Sequence, residues 1–378
     1  MIHHDSREYN VAVSDSAKEF QRRLDERFHL SVPRVERVIE QVQNDVPQDM
    51  IVAGKALRFE SGEKGLAIIT PDTKADALAI HPHALRQAAE RVNFPGRYLT
   101  ELQAKDWGKQ LIAHNLTELY GHLNGDRFLL RNVKGETRGF LSDHFRRLDS
   151  RPLLEAFVGA IRQYGARPID GFALQTKIKV RCFLPYVFEP FPGELVAIGA
   201  ELGDSDFGDG YLTLSLILER MWCTNLATLE SVLKQVHLGK RLPDNVRLSE
   251  RTYALDTQTM ASAIKDLSEN VLGPGAVNQT LGLLKAANEE KIATHDIQNW
   301  VKKNLNKEEG VNVVEKFASP DIELLPAGQT KWRWSNALSW LSNETQDEHR
   351  KLELQEYAGE VVAAAQDRKQ RRRRRSCD

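Results

Sequence analysis

The chain has 378 residues, of which 41% are hydrophobic, with 52 basic and 53 acidic side chains for a net charge of -1; this is enough apolar content to bury one large core or two smaller ones. Its apolar runs, such as Leu212 to Leu218 and Leu195 to Ala200, fall short of the roughly 20 residues that a membrane helix needs, so no membrane partner is expected. Cys182, Cys223 and Cys377 have neither the spacing nor the neighbouring histidines of a zinc motif, and an odd count fits a reducing compartment, so no disulfide framework, metal or cofactor is expected.

The start, Met1-Ile2-His3-His4-Asp5, lacks a basic stretch followed by an apolar run, so no secretory signal is expected and the cytoplasm is the default location. Ser16 to Val42 has apolar residues at Phe20, Leu24, Phe28, Val35, Val38, Ile39 and Val42, a helical spacing that Pro33 interrupts, which predicts two short helices. Met50 to Pro82 changes period, with Ser61-Gly62 and Pro71-Asp72 as turns between short strands. Leu85, Ala88, Ala89 and Val92 then restore a helical face that Pro95-Gly96 breaks, and a further helix is expected from Trp107 to Leu123, ended by Asn124-Gly125. Lys134-Gly135 between two strand-like runs reads as a hairpin turn, and Asp149 to Tyr164 as a helix.

In "FALQTKIKVRCFLP" the alternation is clean: Lys177, Lys179 and Arg181 on one face, Ile178, Val180 and Cys182 on the other. "ELVAIGAEL" and "YLTLSLIL" follow as apolar strands around the turn "GDSDFGDG". After Thr224 the expected elements are helices: Ala227 to Val236, Ser249 to Val271 with Ser249 as cap, Ala276 to Glu290, and His295 to Leu305 with Thr294 and Asp296 as capping residues. The fold class is therefore α+β: a central antiparallel sheet flanked by helices, followed by a helical C-terminal part and a disordered basic tail. The expected divisions are 1–48, an N-terminal helical segment; 49–245, the sheet core; 246–365, the helical C-terminal region; and 366–378, the tail.

Charge is unevenly spread. Residues 368–375, "RKQRRRRR", carry seven cations and no acid, so the rest of the chain stands at -1 minus 7, or -8. Such a run repels itself and neutralises phosphates with release of their counterions. Alternate residues of a strand lie about 6.6 to 6.8 Å apart, so Lys177, Lys179 and Arg181 would space positive charge much as an extended single strand spaces phosphate. With Arg131, Lys134, Arg138, Arg146, Arg147 and Arg151 widening that surface, and Phe140, Phe145 or Phe183 to stack bases, a nucleic-acid groove is one expectation. A solvated sheet face with ordinary lysines is the other. Arg371, Arg372, Arg373, Arg374 and Arg375 of the tail complete the set of candidate nucleic-acid contacts.

Other motifs carry less. Asp204, Asp206 and Asp209 suggest a calcium loop, but Gly208 takes the fifth place and Ser215 the twelfth, where a bidentate glutamate belongs, so a polar hairpin turn is the better account. Cys223 would serve as a nucleophile only with a base such as His237 beside it, and no oxyanion arrangement accompanies it. Trp332, Trp334 and Trp340, interleaved with Lys331 and Arg333, read more readily as core than as a stacking platform. No phosphate-cradling glycine loop, nucleophile elbow or paired-histidine motif occurs, which gives little encouragement to an enzyme.

"GFLSDHFRRLDSRPLL", "AIGAELGDSDFGDGYLTLSLILERMWCTNLATLESVLKQVHLGKR" and "WSNALSWLSNETQDEHRKLELQEYAGEVV" resemble, in this order, segments of the phage/plasmid-like protein family catalogued as domain of unknown function 932, and "HPHALRQAAERVNFPGRYLTEL" resembles its N-terminal helical segment. The resemblance runs from about residue 50 to 365; its most specific parts are Leu141-Ser142-Asp143 to Leu148-Asp149, and Cys223-Thr224-Asn225 followed by His237-Leu238-Gly239. This chain has Leu226 where the family reads glycine. The resemblance implies a setting among prophages, plasmids and integrative elements, and brings no catalytic residues with it. The leading expectation is a non-enzymatic mobile-element protein that binds nucleic acid, single-stranded DNA foremost, in recombination or replication, with strand annealing and a homo-oligomer as its extensions. The alternatives are a regulator or anti-defence factor that binds a host protein through an acidic body, and a metal-dependent hydrolase or nuclease using Asp204, Asp206 and His237.

Overall fold

A computed structural model describes residues 8–62, 65–71, 77–221, 225–235, 248–319 and 325–375, without the side chains of 225, 230–232, 348, 349 and 366–375. Helix α1 (Asp15–Asn44) starts where the Ser14 side chain accepts the Ala17 N–H, and buries Ala17, Phe20, Leu24, Phe28, Ser31, Val35, Val38 and Val42. It is one helix, not the two short ones that Pro33 suggests. Proline removes one N–H, and the apolar stripe continues through it on both sides. The middle of the helix is also fastened to strand β7 (Arg167–Ala173), where Ser31 Oγ donates to the Pro168 carbonyl at 3.2 Å and Arg34 Nε to that of Gly171 at 3.1 Å.

The strands fall into two sheets. The first contains β1 (Gln48–Ala53), β2 (Arg58–Gly62), β3 (Gly65–Ile69), β4 (Leu78–Ile80), β5 (Arg127–Val133) and β6 (Glu136–Ser142), in the order β1-β5-β6-β4-β3-β2. Its pairs are antiparallel except β4 with β6. The chain between those two includes helices α2 (Pro82–Arg91), α3 (Gly96–Gln103) and α4 (Gly108–Gly121), and the length of that crossover permits a parallel return. Leu57, Ile68, Leu85, Ile112, Leu116, Phe128 and Phe140 form the core between the sheet and these helices, and buried Tyr120 gives its hydroxyl to the Ala88 carbonyl at 2.8 Å. The β5–β6 hairpin turns at Lys134 (φ 51°) and Gly135 (φ 82°), two consecutive left-handed residues, as a two-residue connection between right-twisted strands requires.

After helix α5 (Ser150–Gln163) the second sheet is built from β7, β8 (Ile178–Phe183), β9 (Phe188–Phe191), β10 (Glu194–Asp204), β11 (Leu212–Arg220) and β12 (Asn225–Gln235), in the order β12-β11-β10-β8-β7 with β9 against the start of β10. Every residue of β10 is buried, because the sheet is covered on both faces. Phe20, Leu24 and Phe28 of α1 pack with Phe183, Leu195 and Ile217. On the other face Phe157, Val180, Ile198 and Leu214 share a core with Ile264 and Leu284 of helices α6 (Glu250–Leu272) and α7 (Pro274–Glu289). Ser249 caps α6, its hydroxyl accepting the Thr252 N–H.

Where a helix is expected from Ala227 to Val236, the described residues, which end at Gln235, form strand β12 instead, antiparallel to β11 with Leu218 opposite Ala227 and Arg220 opposite Asn225. Its apolar residues follow a helical period in isolation, but the edge of β11 offers a row of unpaired backbone groups, and pairing satisfies them. Residues 222–224, and with them Cys223 and Thr224, lie outside the described residues, as do His237 and Gly239. The C-terminal part is helical: α8 (Thr294–Asn304), α9 (Lys307–Ala318), α10 (Lys331–Glu344) and α11 (Glu348–Arg375). The cap of α8 is Ala293, with no side-chain bond, rather than Thr294 or Asp296, which lie inside the helix. Trp332 and Trp334 lie within α10 and are buried, and Trp334 meets Trp300 and Phe317 edge-on. Among the described residues no helix is long and apolar enough to cross a membrane.

Candidate nucleic-acid interface

Lys179 and Arg181 share one face of β8, as their alternation predicts, but that face is answered by an acid. β10 runs beside β8 with Glu201 directly across from Arg181. Glu201 takes Lys179 Nζ at 2.7 Å and Arg181 Nε at 2.5 Å, a cross-strand charge pair extended by one neighbour. Arg181 reaches on to Asp170 of β7 at 3.7 Å and to Gln355 of α11 at 3.3 Å. The two cationic side chains are only 15% and 17% exposed. Burial opposes ionisation of Glu201, yet Lys179 and Arg181 outweigh it and hold the carboxyl below its usual range. Lys177, in the turn before β8, lies 3.8 Å from Asp209. The expected open cationic row is therefore a covered and neutralised one. Spacing alone could not reveal this, because the neutralising charge comes from a strand twenty residues on.

The arginines expected to widen the groove form the joint between the two sheets. Arg131, on β5, is 2% exposed at its side chain and binds Asp49 of β1 at 2.8 Å and Asp149 at 2.5 Å. Its Nη1 donates to the Asp206 carbonyl at 2.9 Å. Arg147 lies between Asp49, at 3.2 Å, and Glu250, at 3.1 Å, with its guanidinium over the Tyr253 ring. Arg146 makes a two-pronged pair with Asp256 of α6, both contacts at 2.7 Å. Arg138 binds Asp45 at 2.7 Å and Glu136 at 3.1 Å, and Lys134 reaches the other oxygen of Asp45 at 2.8 Å. Among these joint residues Lys134 is the most open to solvent, at 65%, and Arg151, outside the joint, is 52% exposed. Arg151 pairs with Glu155 one turn along α5. Phe140, Phe145 and Phe183 are buried and have no face to offer a base.

The turn "GDSDFGDG" proves to be part of the same joint. Asp204 accepts the Ser150 hydroxyl at 2.9 Å, and Asp206 the Ser150 N–H at 2.7 Å, which fixes the start of α5. Ser205 donates to the Thr176 carbonyl at 2.7 Å, and Thr176 donates to Asp209 at 2.7 Å. The Phe207 carbonyl takes His83 Nε2 at 3.1 Å and Gln87 Nε2 at 2.9 Å from α2. Gly208, at φ 75°, packs so closely on Leu141 that an added Cβ would come within 2.7 Å of its Cδ2. Burial, opposed by Arg131 and reinforced by the charges of Asp204 and Asp149, pushes the Asp206 carboxyl up to about 7. These aspartates thus serve as hydrogen-bond acceptors for α5 and its neighbours. Among the described residues no group of three His, Cys, Asp or Glu side chains is placed to hold a metal ion. Cys182 is buried in the second core, and burial pushes its thiol up to about 12, far from a reactive thiolate.

The basic run, unlike the sheet cations, sits at the end of a long docked helix. Leu354, Ala358, Val362 and Ala365 of α11 are buried, a spacing of four, four and three that keeps one face against the body. The same backbone helix continues to Arg375; the side chains of Arg371, Arg372, Arg373, Arg374 and Arg375 lie outside the described residues. No family model, no curated protein and no solved structure matches the chain.

Proposed function

We propose that the protein binds nucleic acid, single-stranded DNA in the first instance, through the cationic end of α11, with the two-sheet body as its support. What carries this reading is the contrast in charge. The basic residues expected on the sheet are matched by carboxylates at hydrogen-bonding distance, whereas residues 368–375 hold seven cations without an acid. Phosphates offer that run the counter-charge its sequence lacks, and release of their condensed ions drives association. The mobile-element setting rests on the resemblance of the quoted segments, and strand annealing by an oligomer extends it.

The test is fluorescence anisotropy of a labelled oligodeoxynucleotide with the full chain and with a chain ending at Asp367. Seven neutralised phosphates on a single strand give a log–log salt slope near -0.7 × 7, about -5, in the full chain. The shortened chain is expected to lose measurable binding at moderate salt. Equal affinity of the two would overturn the reading. The competing reading, a regulator of a host protein, draws on the body's acid excess and on Trp107, 60% exposed just before α4; capture of a partner that survives nuclease treatment and tail removal supports it instead.

A further inference from the structure

At one end of the first sheet, away from the ion pairs of the joint, a cleft of about 580 Å³, including its part open to solvent, is lined by Arg91, Leu123, Asp126, Arg127, Phe128, Ser142, Asp143 and His144. Three of these form a chain of fixed contacts. Arg127 donates from Nε at 3.1 Å and Nη2 at 3.0 Å to Asp143 Oδ2, and His144 Nδ1 lies 2.7 Å from Asp143 Oδ1. An ionised carboxylate only accepts, so His144 carries its proton on Nδ1, and Asp143 sets both the tautomer and the ring's orientation. The carboxylate is in turn held by Arg127, and all three side chains are at least two-thirds covered. This is the arrangement of a positioned imidazole whose second nitrogen remains for a ligand.

The other lining groups are unspent. Arg91 stands at the exposed end of α2 with no ion pair, and Asp126, in the loop before β5, makes none with its carboxylate; His144 Nε2 and the Ser142 hydroxyl likewise have no hydrogen-bond partner among the described residues. A guanidinium suits a phosphate, as does an imidazole that carries a second proton on Nε2 with Asp143 as its counter-charge, and a carboxylate beside them suits neighbouring hydroxyls. Leu123 and Phe128 add apolar wall, and the enclosed part, about 200 Å³, holds a phosphate and sugar while the cleft's open side leaves room for the rest of the ligand. We propose that this cleft binds a nucleoside monophosphate, with the phosphate between Arg91 and His144 and the ribose hydroxyls at Asp126. Arg127 and Asp143 are positioning residues.

The site is independent of the basic tail, and its test reads a different signal. Adenosine 5′-monophosphate is titrated into the full chain while the imidazole nitrogens of His144 are followed by NMR. A saturable shift is expected. Arg91→Gln, an exposed change that leaves the fold intact, should weaken it about 10- to 100-fold, the loss of a hydrogen bond to a charged group. Asp126→Asn should weaken the nucleotide while leaving inorganic phosphate unchanged, and inorganic phosphate should bind at least tenfold more weakly than the nucleotide. An unmoved His144, or equal affinity in Arg91→Gln, overturns the site; equal affinity for phosphate and nucleotide overturns its assignment to a nucleotide. Binding to the tail moves none of these signals.

Discussion

Gln87 on α2 and Phe207 in the loop after β10 hold the two sheets together through a single side-chain amide. Nε2 donates to the Phe207 carbonyl at 2.9 Å, while Oε1 accepts the Phe140 N–H of β6 at 2.8 Å. The amide therefore uses both of its ends, one on each layer. Phe207 O keeps a second donor in His83.

Gln87→Ala is accordingly expected to destabilise the protein by about 1–3 kcal/mol, the cost of removing an amide bonded at both ends to backbone groups of buried residues. The midpoint of urea unfolding measures it. A loss of under half a kilocalorie would mean that water replaces the amide without penalty.

Glu201→Ala leaves Lys179 and Arg181 in place without the acid that lies between them, and removal of one partner from a buried ion pair costs about 3–5 kcal/mol. Glu201 has its folded carboxyl below the usual range, so its contribution is present above the unfolded value and fades as pH falls through the folded one. Acid unfolding should therefore begin at a higher pH in Lys179→Met than in the parent. Charge reversal at Lys179 and Arg181 is likewise expected to report on folding more than on DNA affinity.

Asp206 gives the opposite sign. Its carboxyl is raised from 3.8 to about 7, with burial the largest cause. Below 3.8 both states are protonated, and between 3.8 and about 7 the folded state holds the extra proton. Stability from this group thus falls as pH rises across that window and is gone above it. Asp206→Asn should flatten the decline in melting temperature between pH 5 and pH 8, and an unchanged slope would remove Asp206 as its origin.

Gly359 of α11 crosses β12 so closely that an added Cβ would lie 1.7 Å from the Thr228 carbonyl oxygen. Neither backbone is the free end of a flexible chain, so Gly359→Ala must shift the helix or the strand. A loss of about 1–3 kcal/mol or more is expected from such overpacking. Calorimetry gives the figure, and a variant with the parent's melting temperature would show that the crossing of α11 and β12 accommodates a methyl group without cost.

Elements with strong local signals were legible in the chain: the Lys134-Gly135 hairpin, the Ser249 cap, the stripe of α1. What escaped had its cause elsewhere in the sequence. Ala227 to Val236 carries a helical period, and only the free edge of β11 makes it a strand. Lys179 and Arg181 look like a phosphate-binding row until β10 is laid beside them and Glu201 comes into register. Pairing the strands brings that acid into view, since Glu201 ends the apolar stretch "ELVAIGAE". The Arg127, Asp143 and His144 chain is half visible in the sequence, since Asp143 and His144 lie in the distinctive segment from Leu141 to Asp149. Its partner Arg127 lies sixteen positions earlier, on the neighbouring strand.

Helix α11 changes its task partway along. Up to Ala365 one face of it, with Leu354, Ala358, Val362 and Ala365, is buried in the body; beyond it residues 368–375 hold seven cations and no acid. A cut within the first part removes side chains from two cores, those that hold Leu354 and Ala358 and those that hold Val362 and Ala365, and should leave no folded product. A cut within the second leaves the fold intact and, under the proposed function, subtracts one phosphate contact per cation lost. Where a protease or a premature stop falls would then set the grip on DNA in discrete steps, with length acting as the dial and the fold unaffected.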